Sequence, residues 1–398
     1  MNKENKGRSP FYPGQPVPVE LFVGRIEEIQ RIARAARQVA SGKSQAVFIQ
    51  GEYGIGKTSL ARFIRLYCEE EEKIFGIHIL LGGTSNLDQL ALKTVQSMIE
   101  SKVSKPTTNE KIKNFLARYV SKAELFGITI NLENLKADSP NIAKGYLPFL
   151  RETFNRIKDE GFEGILLIFD EINGISENPQ FAYFIKELVD QNALSDDPLP
   201  LFLILCGVEE KWRTMIRNHK PVERIFDIAE ISTLSRQEVE KFFTKAFGEL
   251  NITVGEKAMY MLCHFSGGFP KLMHLIGDAA FWIDNDDYID KKDTGSAIIY
   301  AAEDVGRKFL DPQVYKGLRS EHYQSILHKL GESDFSLSFQ KSKIEKVLTP
   351  AEKKKFNNFL QKMKDLHVLK SGQVKGEYIF SDWLTRLYIL MQASGKKE

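Results

Sequence analysis

Four short apolar runs in the first 210 residues alternate with longer segments of helical period. The runs are AVFIQ (Ala46–Gln50), GIHILLG (Gly76–Gly82), GILLIFD (Gly164–Asp170) and LFLILCG (Leu201–Gly207). Apolar residues fill most successive positions, which is typical of strands buried on both faces of a parallel sheet. The helical segments between the runs would supply the layers that cover those faces. The pattern therefore predicts an α/β fold with a parallel sheet.

The rest of the chain follows other patterns. Residues 1–20 contain four prolines and predict an extended leader. Between two helical segments, AELFGITINLENL (Ala123–Leu135) alternates apolar and polar residues and predicts a strand or hairpin. After Ile231 the strand-like runs stop, and three helical segments predict a small subdomain. A third, mostly helical region with a possible hairpin at Val368–Phe380 begins at about residue 293.

Composition narrows the class of protein. The 398 residues are 42% hydrophobic and 27% charged, which indicates a globular chain with material for more than one core. The three cysteines are far apart and form no CxxC pair, so the sequence suggests neither a disulfide framework nor a structural zinc site. The longest apolar run, Leu199–Val208, is far shorter than the roughly 20 residues of a membrane-spanning helix. We expect a cytoplasmic protein without a membrane partner.

Charge is unevenly distributed along the chain. The net charge is +2, but residues 301–398 contain 18 Lys and Arg and 12 Asp and Glu, a balance of +6. A basic segment favours an acidic partner, for which nucleic acid is the usual candidate. A lysine-rich solvated surface explains the same charge without a partner.

The segment GEYGIGKT (Gly51–Thr58) matches the phosphate-binding pattern G-x-x-x-x-G-K-[ST] in full. A predicted strand precedes it and an amphipathic helix follows, as a P-loop requires, whereas a chance glycine turn would need neither. The glycines allow backbone N–H groups to face phosphates, Lys57 would reach the β- and γ-phosphates, and the Thr58 hydroxyl would ligate Mg²⁺. The predicted ATP-binding residues here are Gly51, Glu52, Tyr53, Gly54, Ile55, Gly56, Lys57, Thr58 and Ser59.

Two carboxylates end the strand ILLIFDE (Ile165–Glu171). The carboxyl ends of parallel strands are where open α/β sheets bind ligands. We expect Asp170 to hold Mg²⁺ through its water shell and Glu171 to orient and deprotonate the attacking water. Strand ends often carry acids, but the complete P-loop upstream makes this pair a strong indication of phosphoryl transfer.

A resemblance to a family rests on four motifs in order: LFVGRIEEIQRI (Leu21–Ile32), GEYGIGKT, LLIFDE and GGFP (Gly267–Pro270). Together they resemble the AAA+ ATPases of the initiator (origin-recognition) type and the related STAND and archaeal-type ATPases. The resemblance implies a P-loop parallel-sheet AAA+ core at 21–232, a small helical lid at 233–292 and a C-terminal winged-helix domain at 293–398. It covers residues 21 to about 283.

The resemblance also implies roles for particular residues. Phe22, Val23, Gly24 and Arg25 would lie near the adenine, although a simple helix-starting turn explains the same segment. The sensor-one position, where relatives have Asn, Ser or Thr, carries Cys206, a poor hydrogen-bond donor to phosphate, so hydrolysis would be slow or sensed differently. A buried structural cysteine is the alternative.

The resemblance implies two further sets of residues that act near the γ-phosphate. Arg224, with Arg217 as runner-up, would be an arginine finger that acts on a neighbouring subunit, which requires a homo-oligomer. A surface salt bridge is the competing interpretation. In the lid, Pro270 and Lys271 would contact nucleotide as the GxP and sensor-two residues of relatives do.

The C-terminal segments HYQSILHKLGE, KSKIEKVL and LTPAEKKKFNNFLQKMKDLHVL predict three helices, and VLKSGQVKGEYIF predicts a two-stranded wing. Thr349 would cap the third helix, whose apolar stripe is formed by Phe356, Phe359 or Leu360, Met363 and Leu366. That stripe leaves five lysines largely outward, namely Lys353, Lys354, Lys355, Lys362 and Lys364. The arrangement resembles a winged helix, which binds double-stranded DNA in some proteins and only proteins in others.

The sequence therefore predicts an ATP-binding and ATP-hydrolysing switch that uses Mg²⁺, forms oligomers and acts on or near DNA. The alternative is a signalling or defence ATPase whose winged helix docks an unidentified protein partner without binding DNA. A nucleotide-binding scaffold without turnover is disfavoured because both Asp170 and Glu171 are present.

Overall fold

The computed structural model describes residues 6–16, 18, 21–100, 124–125, 128–129 and 140–395. The chain divides into two compact units. The first is Pro16–Ser232, and the second is Thr233–Glu398 together with the N-terminal residues up to Gln15. No helix in the described ranges combines the length and apolar character needed to cross a membrane.

The first unit is built around a five-stranded parallel sheet. Its strands lie in the order β2-β5-β6-β1-β7. The strands of this unit are β1 (Gln45–Gln50), β2 (Ile74–Leu80), β3 (Glu124–Leu125), β4 (Ile128–Thr129), β5 (Gly164–Asp170), β6 (Leu201–Gly207) and β7 (Asp227–Glu230). Its described helices are α1 (Ile26–Ala40), α2 (Lys57–Glu70), α3 (Leu87–Glu100), α4 (Pro140–Ile157), α5 (Pro179–Ala193) and α6 (Glu209–Asn218), with a 3₁₀ helix at Lys220–Arg224.

Burial explains why the apolar runs become the central strands. Every residue of β5 and β6 is buried, and alternate side chains of both strands join one hydrophobic core with those of β2 and the surrounding helices. The four predicted strands and the α/β class are confirmed. The sequence pattern missed β7, because this edge strand is only four residues long and has a single buried position, Ala229.

The predicted hairpin region contains one short antiparallel pair. Strands β3 and β4 join through Glu124 opposite Thr129 and Leu125 opposite Ile128. The other residues of the predicted segment, Ala123–Leu135, lie outside the described residues.

The second unit is mainly helical. Its helices are α7 (Arg236–Gly248), α8 (Glu256–Ser266), α9 (Pro270–Ile283), α10 (Lys291–Val305), α11 (Glu321–Gly331), α12 (Lys341–Glu345), α13 (Pro350–Asp365) and α14 (Trp383–Ser394), with a π-helix at Gly306–Tyr315. Its strands are β8 (Thr253–Val254), β9 (Tyr288–Ile289), β10 (Ser338–Gln340), β11 (Leu369–Ser371) and β12 (Glu377–Phe380). The expectation that strands stop after Ile231 was wrong: β8 pairs with β9, and β10 pairs with β12, over stretches too short to leave a periodic signal.

The C-terminal elements follow the order α11-β10-α12-α13-β11-β12-α14, and β10, β12 and β11 form an antiparallel sheet. The three predicted helices and the hairpin are confirmed, and β10 is an additional strand. Thr349 caps α13 as predicted, in a reciprocal capping box with Glu352. The side chains of Phe356, Phe359, Leu360 and Met363 are buried, while Lys353, Lys354, Lys355 and Lys362 are exposed and Lys364 and Leu366 are half-buried.

The N-terminal residues of the second unit pack onto its helices. Phe11 is buried against the rings of Phe242, Phe247 and His274. Gly277 leaves the space for it, because a Cβ there would overlap the Phe11 ring. Residues 6–16 contain no helix or strand.

Candidate active site

The P-loop connects β1 to α2 and is shaped by its glycines. Gly54 and Gly56 have left-handed backbone angles (φ 78° and 101°), which glycine adopts without strain. Gly56 is also the N-cap of α2, and no side chain in the described ranges caps the first turn. A Cβ on Gly51 would lie 2.9 Å from Ile55 Cγ2 and 3.1 Å from the Ile231 carbonyl oxygen. The loop therefore offers uncapped helix N–H groups, which suit an anion.

Lys57 lies at the centre of this loop. Its ammonium donates to the carbonyl oxygens of Gly51 (2.9 Å) and Glu52 (2.8 Å), which curl the side chain back over the loop. Burial lowers the pKa of Lys57, and the nearby charges of Asp170 and Glu171 act in the opposite direction. The structure thus brings the P-loop lysine and both strand-end carboxylates into one site, at the carboxyl ends of strands β1 and β5.

Asp170 is the last residue of β5, and its side chain has no exposed surface. One oxygen, Oδ1, accepts the Glu171 backbone N–H at 2.9 Å, and Oδ2 lies 3.1 Å from His78 Nε2. Cys206, on the neighbouring strand β6, is buried, and its burial together with the nearby charge of Asp170 raises the pKa of the thiol well above its usual range.

Glu171 differs from its neighbour in exposure and in backbone conformation. Its side chain is exposed, and its φ of 58° is left-handed, which is uncommon for a residue with a Cβ. The carboxylate reaches over Gly82, where a Cβ would overlap Glu171 Oε2. Lys93 fixes this stretch of chain by donating to the carbonyl oxygens of Leu80 and Gly82, both at 2.9 Å. Solvent, and therefore a water nucleophile, can reach Glu171.

The donor set suits magnesium. A hydroxyl at Thr58, in the first turn of α2, and a buried carboxylate at Asp170 are hard oxygen ligands of the kind that Mg²⁺ prefers. The described residues contain no cluster of three or more His, Cys, Asp or Glu that would form an all-protein metal cage. Because Mg²⁺ is commonly bound by one or two protein groups plus phosphate oxygens, these residues fit a metal that arrives with a nucleotide.

The predicted adenine segment lies beside the P-loop. Phe22 stacks on Phe63 of α2, with ring centroids 5.1 Å apart and planes 17° from parallel. Arg25 is only 6% exposed; it donates to the Ile55 carbonyl oxygen at 3.1 Å and to the Ser232 carbonyl. Gly24 has a φ of 74°, and Val23 is half-buried. Arg25 thus holds the tip of the P-loop, and adenine contact by this segment stays a prediction.

The remaining predicted residues are all exposed or half-buried. Arg224 is exposed at the end of the 3₁₀ helix, and Arg217 is exposed and donates to Thr214 Oγ1 at 2.9 Å. Pro270 begins α9 and Lys271 is exposed in its first turn, both in the second unit.

Sequence reasoning missed two residues of the site, His78 and Gly82. The signal for His78 was a single polar residue within the apolar strand IFGIHIL. Gly82 gave no comparable signal, because its importance comes from the approach of a side chain 89 positions away in the sequence.

Comparison with known proteins gives a partial family match and a full-length fold match. Residues 18–126, less than a third of the chain, match the family described as BREX system ATP-binding protein BrxC/D. The ORC2 protein of Aeropyrum pernix, solved as ADPNP-ADP complexes, has a TM-score of 0.62 at 14% identity, covering 98% of this chain and 97% of that one.

Two more structures are similar. A Walker-type ATPase of Pyrococcus abyssi has a TM-score of 0.50 at 17% identity, with 92% of this chain and 96% of that chain covered. Cdc6p from Pyrobaculum aerophilum has a TM-score of 0.50 at 10% identity, with 98% of each chain covered. Curated proteins gave no match. The fold is therefore similar to that of the Aeropyrum ORC2 and Pyrobaculum Cdc6p proteins, and the resemblance seen in the sequence is confirmed at the level of fold.

Proposed function

We propose that the protein is an ATP-binding and ATP-hydrolysing switch of the AAA+ type. The observation that carries the proposal is the meeting of Lys57 with Asp170 and Glu171 beside an uncapped, glycine-shaped helix N-terminus. These are the parts that phosphoryl transfer needs: a cation for the phosphates, oxygen ligands for a metal, and a carboxylate that can accept a proton from water. The match of residues 18–126 to ATP-binding proteins and the nucleotide complexes of the Aeropyrum ORC2 structure support adenine nucleotide as the ligand.

Each residue has a distinct role in this proposal. The backbone of Gly51–Thr58 and the Lys57 ammonium bind the β- and γ-phosphates. Thr58 and Asp170 hold Mg²⁺, which neutralises charge on the phosphate oxygens when it is bound. Glu171 orients the attacking water and accepts its proton, since its carboxylate is the exposed one of the pair.

Two substitutions test the proposal. Lys57→Ala should abolish ATP binding or weaken it greatly, because it removes the phosphate cation. Glu171→Gln should bind ATP and hydrolyse it far more slowly, because an amide cannot accept the proton. Binding is measured by titration with a fluorescent ATP analogue and turnover by phosphate release. Unchanged turnover in Glu171→Gln would exclude this carboxylate as the base, and unchanged binding in Lys57→Ala would exclude the P-loop site.

We further propose that the protein acts as a homo-oligomer in which Arg224 reaches the γ-phosphate of a neighbouring subunit. Arg224 is exposed at the end of a short helix, so its guanidinium is available to another molecule. A site that hydrolyses ATP with an arginine supplied from the next subunit is active only when assembled.

Double-stranded DNA is the partner we propose for the C-terminal region. The order helix-strand-helix-helix-strand-strand, from α11 to β12, supports the proposal because it is the order expected of a winged helix. The third of these helices, α13, presents Lys353, Lys354 and Lys355 to solvent, and Lys370 and Lys375 lie on the hairpin that follows. Exposed lysines on a helix and a wing suit contacts with the phosphate backbone.

A second candidate is a signalling or defence ATPase whose C-terminal region docks a protein. The match of residues 18–126 to BREX system ATP-binding proteins favours it, because it relates the P-loop segment to ATP-binding proteins that belong to a named system rather than to origin recognition. Salt-dependent DNA binding by the full chain separates the two candidates: it is expected for the first and absent for the second.

A further inference from the structure

The carboxylate of Asp170 is held between two neighbouring strands. Strand β5, which ends at Asp170, lies between β2 and β6 in the sheet. His78 of β2 places Nε2 3.1 Å from Asp170 Oδ2. The Glu171 N–H bonds the second oxygen, Oδ1, at 2.9 Å. A side-chain donor from the neighbouring strand and a backbone donor at the end of β5 therefore hold the two oxygens of one carboxylate.

The tautomer of His78 follows from this geometry. A carboxylate can only accept hydrogen bonds, so Nε2 of His78 carries the proton and donates. The His78 side chain is 15% exposed and Asp170 has no exposed surface, so the imidazole separates the carboxylate from solvent on the β2 side. Register places His78 opposite Ile168, two residues before Asp170, so the ring reaches forward along the sheet to the strand end.

These hydrogen bonds leave the carboxylate fixed but not saturated. Two carboxylate oxygens offer about four lone-pair directions. The donors from His78 and Glu171 use two of them and orient the carboxylate. The remaining directions are left for a metal ion or its water, and the two donors set how those directions point.

We propose that His78 is a positioning residue for Asp170: by donating to Oδ2 it orients the carboxylate that holds Mg²⁺ with ATP. The inference rests on the proposed function and adds a residue outside the P-loop and the strand-end acids. Partners of metal-ligating groups tune metal binding in this way, and removing one typically weakens metal affinity 10- to 100-fold.

The test compares His78→Ala with His78→Gln. The Gln side-chain amide can place a donor close to where Nε2 lies, whereas Ala removes the donor. ATP affinity is measured with a fluorescent ATP analogue in EDTA and over a Mg²⁺ series. We expect His78→Ala to bind ATP in EDTA as tightly as the wild type does. The Mg²⁺ concentration that gives half of the metal-dependent increase in ATP affinity should be roughly 10- to 100-fold higher than for the wild type. His78→Gln should restore most of the wild-type Mg²⁺ dependence.

A double-mutant cycle separates positioning from a general structural effect. In an Asp170→Ala background, His78→Ala should cause no further change in Mg²⁺ dependence, because the carboxylate that it orients is already absent. If His78→Ala does not fold, His78→Asn replaces it, since that shorter amide keeps a polar side chain but cannot reach Oδ2.

The outcomes distinguish this inference from the proposed function. Wild-type protein whose ATP affinity does not depend on Mg²⁺ would overturn both. Normal wild-type dependence that is unchanged in His78→Ala would overturn the positioning role alone. A loss of ATP affinity in EDTA that His78→Gln does not rescue would also overturn it, by showing that the histidine supports the site as a whole.

Discussion

Replacing Gly82 with alanine should slow ATP turnover without weakening ATP binding. An ideal Cβ on Gly82 would lie about 1 Å closer to Glu171 Oε2 than the 3.4 Å at which ordinary van der Waals contact begins. Gly82 does not have a left-handed φ, so alanine fits its backbone. The clash falls on the far end of a flexible side chain. The carboxylate must therefore move by about 1 Å while the loop keeps its conformation.

The size of the effect follows from that displacement. Glu171 is the proposed base, and a misplacement of about 1 Å can cost about 100-fold in rate. That factor corresponds to about 2.7 kcal/mol in the activation free energy. ATP affinity should stay within about twofold of the wild type, because Lys57 and the P-loop are untouched. The free energy of unfolding should change by less than about 0.5 kcal/mol, since the buried side chains keep their packing.

The assay is steady-state phosphate release together with titration of a fluorescent ATP analogue. The adjacent Gly83→Ala is the matched control. Gly83 has a φ of 73°, and no atom of the described residues lies within 4 Å of its ideal Cβ. Alanine there should cost about 1–2 kcal/mol of stability through backbone strain and leave kcat unchanged. Wild-type kcat in Gly82→Ala, or an equal loss in both variants, would refute the reasoning.

Three further predictions concern assembly, DNA and acid stability. Arg224→Ala should keep its ATP affinity and lose turnover. Mixing Arg224→Ala with Glu171→Gln should restore some activity, because some interfaces then combine an intact Arg224 with an intact Glu171. A fully active monomer in dilute solution would exclude the action of Arg224 on a neighbouring subunit. Replacing the three exposed lysines of α13 with glutamine should weaken DNA binding for all sequences, and the slope of log affinity against log salt should fall by about one for each phosphate that is no longer neutralised. These lysines are Lys353, Lys354 and Lys355. Burial would raise the pKa of Glu352, but hydrogen bonds from Lys329, Ser325 and the helix cap lower it to about 2, against 4.5 when unfolded. The stability that ionised Glu352 contributes is therefore present above pH 4.5 and lost as the pH falls towards 2. The free energy of unfolding, measured with urea, should therefore differ between wild type and Glu352→Gln above pH 4.5, and this difference should narrow as the pH falls towards 2.

The sheet and the phosphate loop could be predicted because their signals are local. Strands buried on both faces need continuous apolar runs, and β5 and β6 have them. A phosphate loop needs glycines, a lysine and a hydroxyl at fixed spacing, so Gly51–Thr58 can be identified without knowing its surroundings. In each case a few adjacent residues contain the whole physical requirement.

The hydrogen bonds around the acids could not be predicted, because they depend on register between strands. His78 reaches Asp170 only because β2 pairs with β5 in the observed register, and nothing in either segment alone specifies that pairing. Edge strand β7 was missed for a related reason. Its stability comes from backbone pairing with β1, so its own side chains need not be apolar.

The backbone conformation of Glu171 explains how two adjacent carboxylates come to have the different environments that their proposed roles require. In a continuing strand the side chains of Asp170 and Glu171 would point to opposite faces of the sheet. Because both faces are buried, Glu171 would then be buried as well. The left-handed φ of Glu171 ends the strand at Asp170 and turns the next side chain out to solvent over Gly82. Such a conformation costs about 1–3 kcal/mol and persists only where the surroundings determine it. Here the Glu171 N–H bond to Asp170 Oδ1 helps to hold the turn. The same bond thus orients both the buried carboxylate, proposed to hold a metal, and the exposed one, proposed to accept a proton from water, so a substitution that relaxes this turn should disturb both proposed roles together.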